Sequence, residues 1–311
     1  MRNYFYILFI LFASCNQVDE KGAAKQFVVV LGVTQDAGYP QLGCIKDCCN
    51  AVYEGKETKK HVVSLALVDA TTKEYFLFEA APDITSQLSL LQKQHQLESI
   101  QPAAVFLTHA HIGHYTGLTY FGREAMNSST IPVYTLPRLD SFLRNNGPWS
   151  QLTALNNIEL RKLKVDSAVS LSSTIKVTAL QVPHRDEFSE TACYIIQTQN
   201  KRLLFIPDID KWQKWERNII DLIREVDYAL LDATFYKDGE LPNRNMSEVP
   251  HPFVEESMEL FKNLNATDKR KVYFIHFNHT NPLLRTNSSA AMEVKQKGFN
   301  IAKEGIILNM D

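Results

Sequence analysis

The 311 residues predict an α/β fold of two mixed β-sheets packed together and flanked by helices. Three observations predict it. Apolar runs of strand length occur both in hairpins and between helical stretches. At least four of these runs deliver a His or an Asp where they end, as a rigid scaffold presents functional groups on its loops. No internal repeat, low-complexity tract or linker interrupts the pattern, which makes residues 26–311 one domain.

In chain order, Met1, Arg2 and Asn3 precede an apolar run over 4–12 that is too short to span a bilayer and has the charged start of a secretory signal peptide. The ending Leu11-Phe12-Ala13-Ser14-Cys15 resembles a bacterial lipoprotein cleavage box. That resemblance implies a signal peptide over 1–15, lipidation of Cys15, a polar tether over 16–25, and export to the periplasmic or cell-surface side of a bacterial membrane. The run 27–31 predicts a buried strand feeding a Gly- and Pro-punctuated loop over 32–41, in which Asp36 is either a ligand or a turn residue. Cys44, Cys48 and Cys49 follow within six residues. In an exported chain they suggest equally a disulfide or a small structural metal site, with His61 as the nearest histidine for a fourth ligand. Runs 62–68 and 75–78, separated by the turn-like 69–72, predict a hairpin. Asp83 opens a helix to about His95, with Leu88 and Leu91 on its apolar face and His95 in solvent.

Pro102 marks entry to a strand that ends in His109-Ala110-His111-Ile112-Gly113-His114. Three imidazoles within six residues read as a metal site, because a strand that has just ended presents His109 and His111 on one side and lets the chain curl to bring His114 beside them. Residues 117–126 predict a helix, 131–134 a short strand and 137–145 another helix. The strand 175–182 then ends at His184, 203–206 at Asp208, 228–231 at Asp232 and 272–275 at His276. Cys193, inside an apolar strand, reads as a core thiol.

The HAHIGH run resembles the H-x-H-x-D-H signature of the metallo-β-lactamase superfamily, with Gly113 where that family carries Asp. The element order is similar to its αββα sandwich across nearly the whole mature chain. Within the superfamily the chain resembles the pyrroloquinoline-quinone biosynthesis protein B family, through FEAAPDI (78–84), VPHRDEFSET (182–191), LLFIPDIDKW (203–212), LLDATF (230–235) and FIHFNHTNPLL (274–284). The superfamily resemblance implies a first metal held by His109, His111 and His184, with Asp208 bridging to a second held also by His114 and His276. It also implies hydrolysis by a metal-bound hydroxide. The quinone-biosynthesis family usually lacks the first two histidines of the motif, whereas this chain has both, so the implied metal site looks more like that of the hydrolases. Asp36 is the candidate to replace the missing carboxylate at Gly113, because the loop after the first strand commonly borders the active site in this fold. A further likeness, to the transfer-RNA-processing and cyclic-phosphodiesterase branch, rests on LLDATF followed by Pro250-His251-Pro252, a helix from about Phe253, and a strand ending in His276. It implies that His251 works beside the metals as a general acid, with Asp208 in the catalytic group.

A net charge of −2 offers no basic footprint for nucleic acid, and 45% apolar residues supply an ordinary core. The sequence thus points to a small-molecule substrate, a membrane reached through a lipid anchor, and one or two divalent ions. Zinc fits the ligand set first, with iron or manganese as alternatives. The expected activity is hydrolysis of a phosphodiester or related small ester. The alternatives are an iron-dependent oxygenase resembling the quinone-biosynthesis relatives, and a lipid-anchored metal-binding module without turnover.

Overall fold

Residues 24–185, 187–242 and 244–311 are described by a computed structural model. The expected signal peptide, Cys15 and most of the tether lie outside them. The first half of the chain supplies β1 (Gln26–Gly32), β2 (Ser64–Asp69), β3 (Glu74–Phe78), β4 (Ala104–Phe106), β5 (Ile131–Thr135) and β6 (Ile158–Lys162). The second half supplies β7 (Ala168–Ser170), β8 (Lys176–Val182), β9 (Thr191–Gln197), β10 (Arg202–Ile206), β11 (Tyr228–Asp232), β12 (Val272–Ile275) and β13 (Asn300–Ile301). The last strand, β14 (Ile307–Asn309), returns to pair antiparallel with β1. The sheet orders are β14-β1-β2-β3-β4-β5-β6 and β13-β12-β11-β10-β9-β8-β7. Each sheet is antiparallel in its hairpin half and parallel where helices intervene, as in β3-β4-β5-β6 and β10-β11-β12-β13.

Side-chain alternation explains how both faces of the first sheet are covered. Val28, Val30, Leu65, Leu67, Phe76 and Phe78 face the second sheet, while Phe27, Val29, Ala66, Val68, Tyr75 and Leu77 pack under the outer helices. The rings of Phe78, Phe106 and Tyr134 stack across β3, β4 and β5 at 5.0 and 4.7 Å. Tyr194, from β9 of the facing sheet, meets Phe78 and Phe106 edge-on and donates its hydroxyl to the Leu107 carbonyl. Through that bond the aromatic block is tied to the chain two residues before His109.

The predicted hairpin forms, with Val68 opposite Tyr75. The helix after Asp83 spans Ile84–His95, and the one after Phe253 spans Val254–Leu260, where the Phe253 amide donates to the Glu256 carboxylate. Two local expectations are corrected. The stretch 117–126 is not an α-helix: Ile112–Tyr115 forms one helical turn and Thr116–Phe121 a 3₁₀ turn. The cause is close backbone approach, because Gly117 donates to the Ala80 carbonyl and a Cβ there would lie 2.2 Å from the Ala81 oxygen. His95 is not fully in solvent; its ring packs 5.0 Å from that of Phe27, and burial lowers its pKa. Among the described residues no helix is long and apolar enough to cross a membrane.

Candidate metal centre

The strand ends of both sheets open on one edge of the sandwich, and the predicted ligands meet there. His109 is buried just beyond β4, its Nδ1 2.9 Å from the Thr108 hydroxyl and its Nε2 2.7 Å from His111 Nδ1. His184, two residues after β8, and Asp208, two residues after β10, come from the facing sheet. Asp208 Oδ2 lies 3.4 Å from His109 Nε2 and 3.2 Å from His184 Nε2. One ligand atom from each of His109, His111, His184 and Asp208 falls within a 4.8 Å group.

A second group joins Asp36, His114 and His276 within the same span. His276 follows β12 with φ +69°, an uncommon conformation for a residue with a Cβ, and it costs on the order of 1 kcal/mol or more. The surrounding hydrogen bonds hold it: Phe277 donates to Val33, and Gln35 donates to Phe277. The loop bearing Asp36 and the loop bearing His276 are thereby stitched together. Asp208 Oδ2 stands 4.0 Å from His114 Nε2, between the two groups.

The donors fit divalent ions. His114 Nε2 and His276 Nε2 are buried and make no hydrogen bond, although each such orphaned atom costs about 1–3 kcal/mol. Their other ring nitrogens are engaged, His114 Nδ1 lying 3.2 Å from Glu79 and His276 Nδ1 2.9 Å from the Thr234 hydroxyl. That leaves the Nε2 lone pairs aimed at the centre, the pattern of metal-ligating imidazoles held by an outer partner. Burial, with His114 nearby, lowers the pKa of His109 well below the usual value, which favours the neutral ligand form. Burial opposes charge on Asp208, but His184 and His251 outweigh it and hold the carboxyl well below the usual range.

His251 lies beside this centre on the approach to the Val254–Leu260 helix. Its Nδ1 is 2.9 Å from Asp232 Oδ2 and 3.1 Å from Asp208 Oδ1. Burial works against protonation of His251, yet Asp232 and Asp208 raise its pKa to about 10. Asp232 is fixed by the Ile209 and Thr234 amides and the Thr234 hydroxyl. His251 also forms a wall of a cleft of about 530 Å³, lined further by Phe235, Leu241, Arg185, Lys214 and Arg244.

The cysteines form a separate cluster. Cys44, Cys48 and Cys49 are free, with Cys44 and Cys48 Sγ 3.9 Å apart, well beyond the roughly 2.05 Å of a disulfide. The fourth potential ligand is His279 and not His61: Cys44, Cys48, Cys49 and His279 offer donors within 4.8 Å of one another, while His61 faces Glu304 at 3.3 Å. The fold overrides sequence proximity, because the turn after β12 passes over the cysteine loop.

Sequence reasoning did not single out Glu79, Asp210 or His279. Glu79 was legible only as a carboxylate ending a strand inside FEAAPDI; it is fully buried, adopts φ +73° and accepts from the Thr108 amide. Asp210, in the same turn as Asp208, stands 3.3 Å from His184 Nδ1.

The family model for the Beta-lactamase superfamily domain matches residues 74–277. Coenzyme PQQ synthesis protein B of Gluconobacter oxydans is 25% identical over 310 residues, covering 91% of this chain and 98% of that protein. The crystal structure of Zn²⁺-bound PqqB from Methylobacterium extorquens matches with a TM-score of 0.78 at 22% identity, over 91% of this chain and 99% of that one. A diphosphatase from the PhnP family matches with a TM-score of 0.61 at 18% identity, over 91% and 96%. At these identities the two structures establish the αββα architecture.

Proposed function

The chain belongs to the β-lactamase superfamily, and on that basis we propose that it is a metal-dependent hydrolase of phosphodiesters or related small phosphate esters. The observation that carries this reading is His251, backed by Asp232 at 2.9 Å and opening on a cleft that holds three cationic side chains. The diphosphatase architecture of the PhnP-family structure supports it.

His109, His111, His184 and Asp208 would hold a first ion, and Asp208, His114 and His276 a second. Zinc suits this set of imidazoles and carboxylates, and iron or manganese is accommodated by the same donors. Bound ions would lower the pKa of water and polarise the phosphoryl oxygen. Arg185, Lys214 and Arg244 orient the anionic ester, and two carboxylates of the same lining, Asp210 and Glu248, disfavour a more heavily charged one. Phe235 and Leu241 give the leaving group an apolar surface. His251 holds a proton: with Nδ1 engaged by Asp232, Nε2 is the atom that delivers it to the departing oxygen.

A panel of phosphodiesters, assayed on protein of verified metal content, tests the reading. Turnover that is lost with chelation and returns with zinc or manganese supports it; no turnover of any diester by the loaded protein refutes it. The likeness to coenzyme PQQ synthesis protein B across 91% of the chain favours a second reading, an iron-dependent oxygenase. Substrate-dependent oxygen consumption by the Fe²⁺-loaded protein would select it.

A further inference from the structure

We propose that Asp36, from the loop after β1, supplies the carboxylate ligand of the second ion that the HAHIGH loop itself lacks, and that Gly113 is the residue that makes room for it. This rests on the metal-dependent reading of the site. The two positions compete for one volume. A Cβ built on Gly113 would lie 2.4 Å from Asp36 Oδ1 and 2.6 Å from Asp36 Cα, where real Cβ atoms are not found. Any side chain at 113 therefore displaces Asp36, and Asp36 in its observed place excludes any side chain at 113.

The carboxylate is held in the manner of a ligand. Oδ1 accepts from the Gly113 amide at 3.0 Å and Oδ2 from Gln35 Nε2 at 3.2 Å. Each carboxylate oxygen has two lone-pair sites, so Oδ1 keeps one free. Oδ1 lies 3.3 Å from His114 Nε2, a buried atom that makes no hydrogen bond, and the same loop is tied by backbone bonds to the strand end carrying His276. Those contacts converge two orphaned imidazole nitrogens and one carboxylate oxygen on a single point. A turn-stabilising aspartate needs only the Gly113 and Gln35 bonds; it has no use for two unpaired imidazole nitrogens beside it.

The exchange makes a specific demand on the chain. The carboxylate arrives from a loop of the first sheet's leading strand instead of from the turn between His111 and His114, so its position depends on the packing of Val62 against that loop, whose Cγ1 lies 3.1 Å from the same built Cβ. The second ion is thus held from four separate segments, those of Asp36, His114, Asp208 and His276, each fixed by the sandwich.

The test compares bound-metal stoichiometry and the visible absorption of Co²⁺-substituted protein in wild type, Asp36→Asn, Asp36→Ala, Gly113→Asp and the Asp36→Ala/Gly113→Asp double variant, with folding monitored by circular dichroism. Asp36→Asn keeps an oxygen for the Gly113 amide and removes only the charge, so it reports on ligation even where Asp36→Ala destabilises the loop. The expected result is one ion fewer per chain in both Asp36 variants, with affinity for that ion reduced by about a hundredfold or more and the first ion's spectrum unchanged. The double variant should regain the ion, because the carboxylate returns on the other side of the same volume. Gly113→Asp alone should gain none and should unfold at a lower temperature. Two ions held as tightly in Asp36→Asn as in wild type overturn the exchange while leaving the metal centre standing; a wild type that binds no ion at the imidazole sites overturns both.

Discussion

At His251 the ring is engaged through one nitrogen: Nδ1 faces Asp232 at 2.9 Å and Asp208 at 3.1 Å, which leaves the opposite edge of the imidazole for a ligand in the cleft. A group that delivers a proton matters most when the leaving group is a poor one. His251→Ala is therefore expected to lower turnover of an alkyl phosphodiester by about a hundredfold or more, and of a nitrophenyl diester far less. Steady-state rates on the two substrates decide it, and equal losses on both would reduce His251 to a positioning residue. Glu79 acts one layer further out, 3.2 Å from His114 Nδ1 and fully buried. Glu79→Gln keeps the volume and removes the charge that polarises the ring, so affinity for the second ion should fall by about 10–100-fold while the first is spared. Competition with a chromophoric chelator measures both, and unchanged affinity for the second ion would remove Glu79 from the metal's support.

Elements carry the site by holding their ends at fixed heights. The stacked rings of Phe78, Phe106 and Tyr134 do this for β3, β4 and β5, and Tyr194 clamps the facing sheet against them. Phe106→Ala removes the middle of that stack and is expected to cost about 3–5 kcal/mol in denaturant unfolding, with loosened metal binding as a consequence. A loss near zero would mean that the His109 loop is supported from elsewhere. The cysteine loop and the turn after β12 form another such unit, since His279 lies three residues beyond His276. Soft thiolates with one imidazole favour zinc over harder ions. Cys49→Ser is expected to reduce zinc content by one per chain and to lower the unfolding temperature; unchanged zinc content would reduce the cluster to buried thiols. The stretch 117–126 shows where element-level reading fails: Gly117 and Gly122 already weaken a helix there, and Gly117 is pressed against the Ala80 and Ala81 carbonyls, a contact that sets a tighter turn.

For the whole molecule, the apolar leader ending at Cys15 and the polar residues after it are expected to tether the domain to a membrane, where several acyl chains give stable anchoring and one is marginal. Cys15→Ala should release mature protein into the soluble fraction or leave it uncleaved, and unchanged fractionation and mass would remove the anchor. The sequence by itself determined the two-sheet architecture, because alternation and run length dictate strands whatever they pack against. It also determined that His109, His184, Asp208 and His276 stand just beyond strand ends, with His111 and His114 in the stretch that follows His109, since the apolar runs before them must be buried. Only the tertiary structure decided which of them share a donor group, because the two groups draw from both sheets and the gaps between their segments span up to about half the chain. Tertiary packing likewise put His279 in place of His61 beside the cysteines, brought Glu79 and Asp232 behind the imidazoles, and set Asp36 in the space over Gly113. Sequence spacing carries local geometry alone; contacts between loops of different sheets are fixed by how the sheets pack, and that is decided by the core.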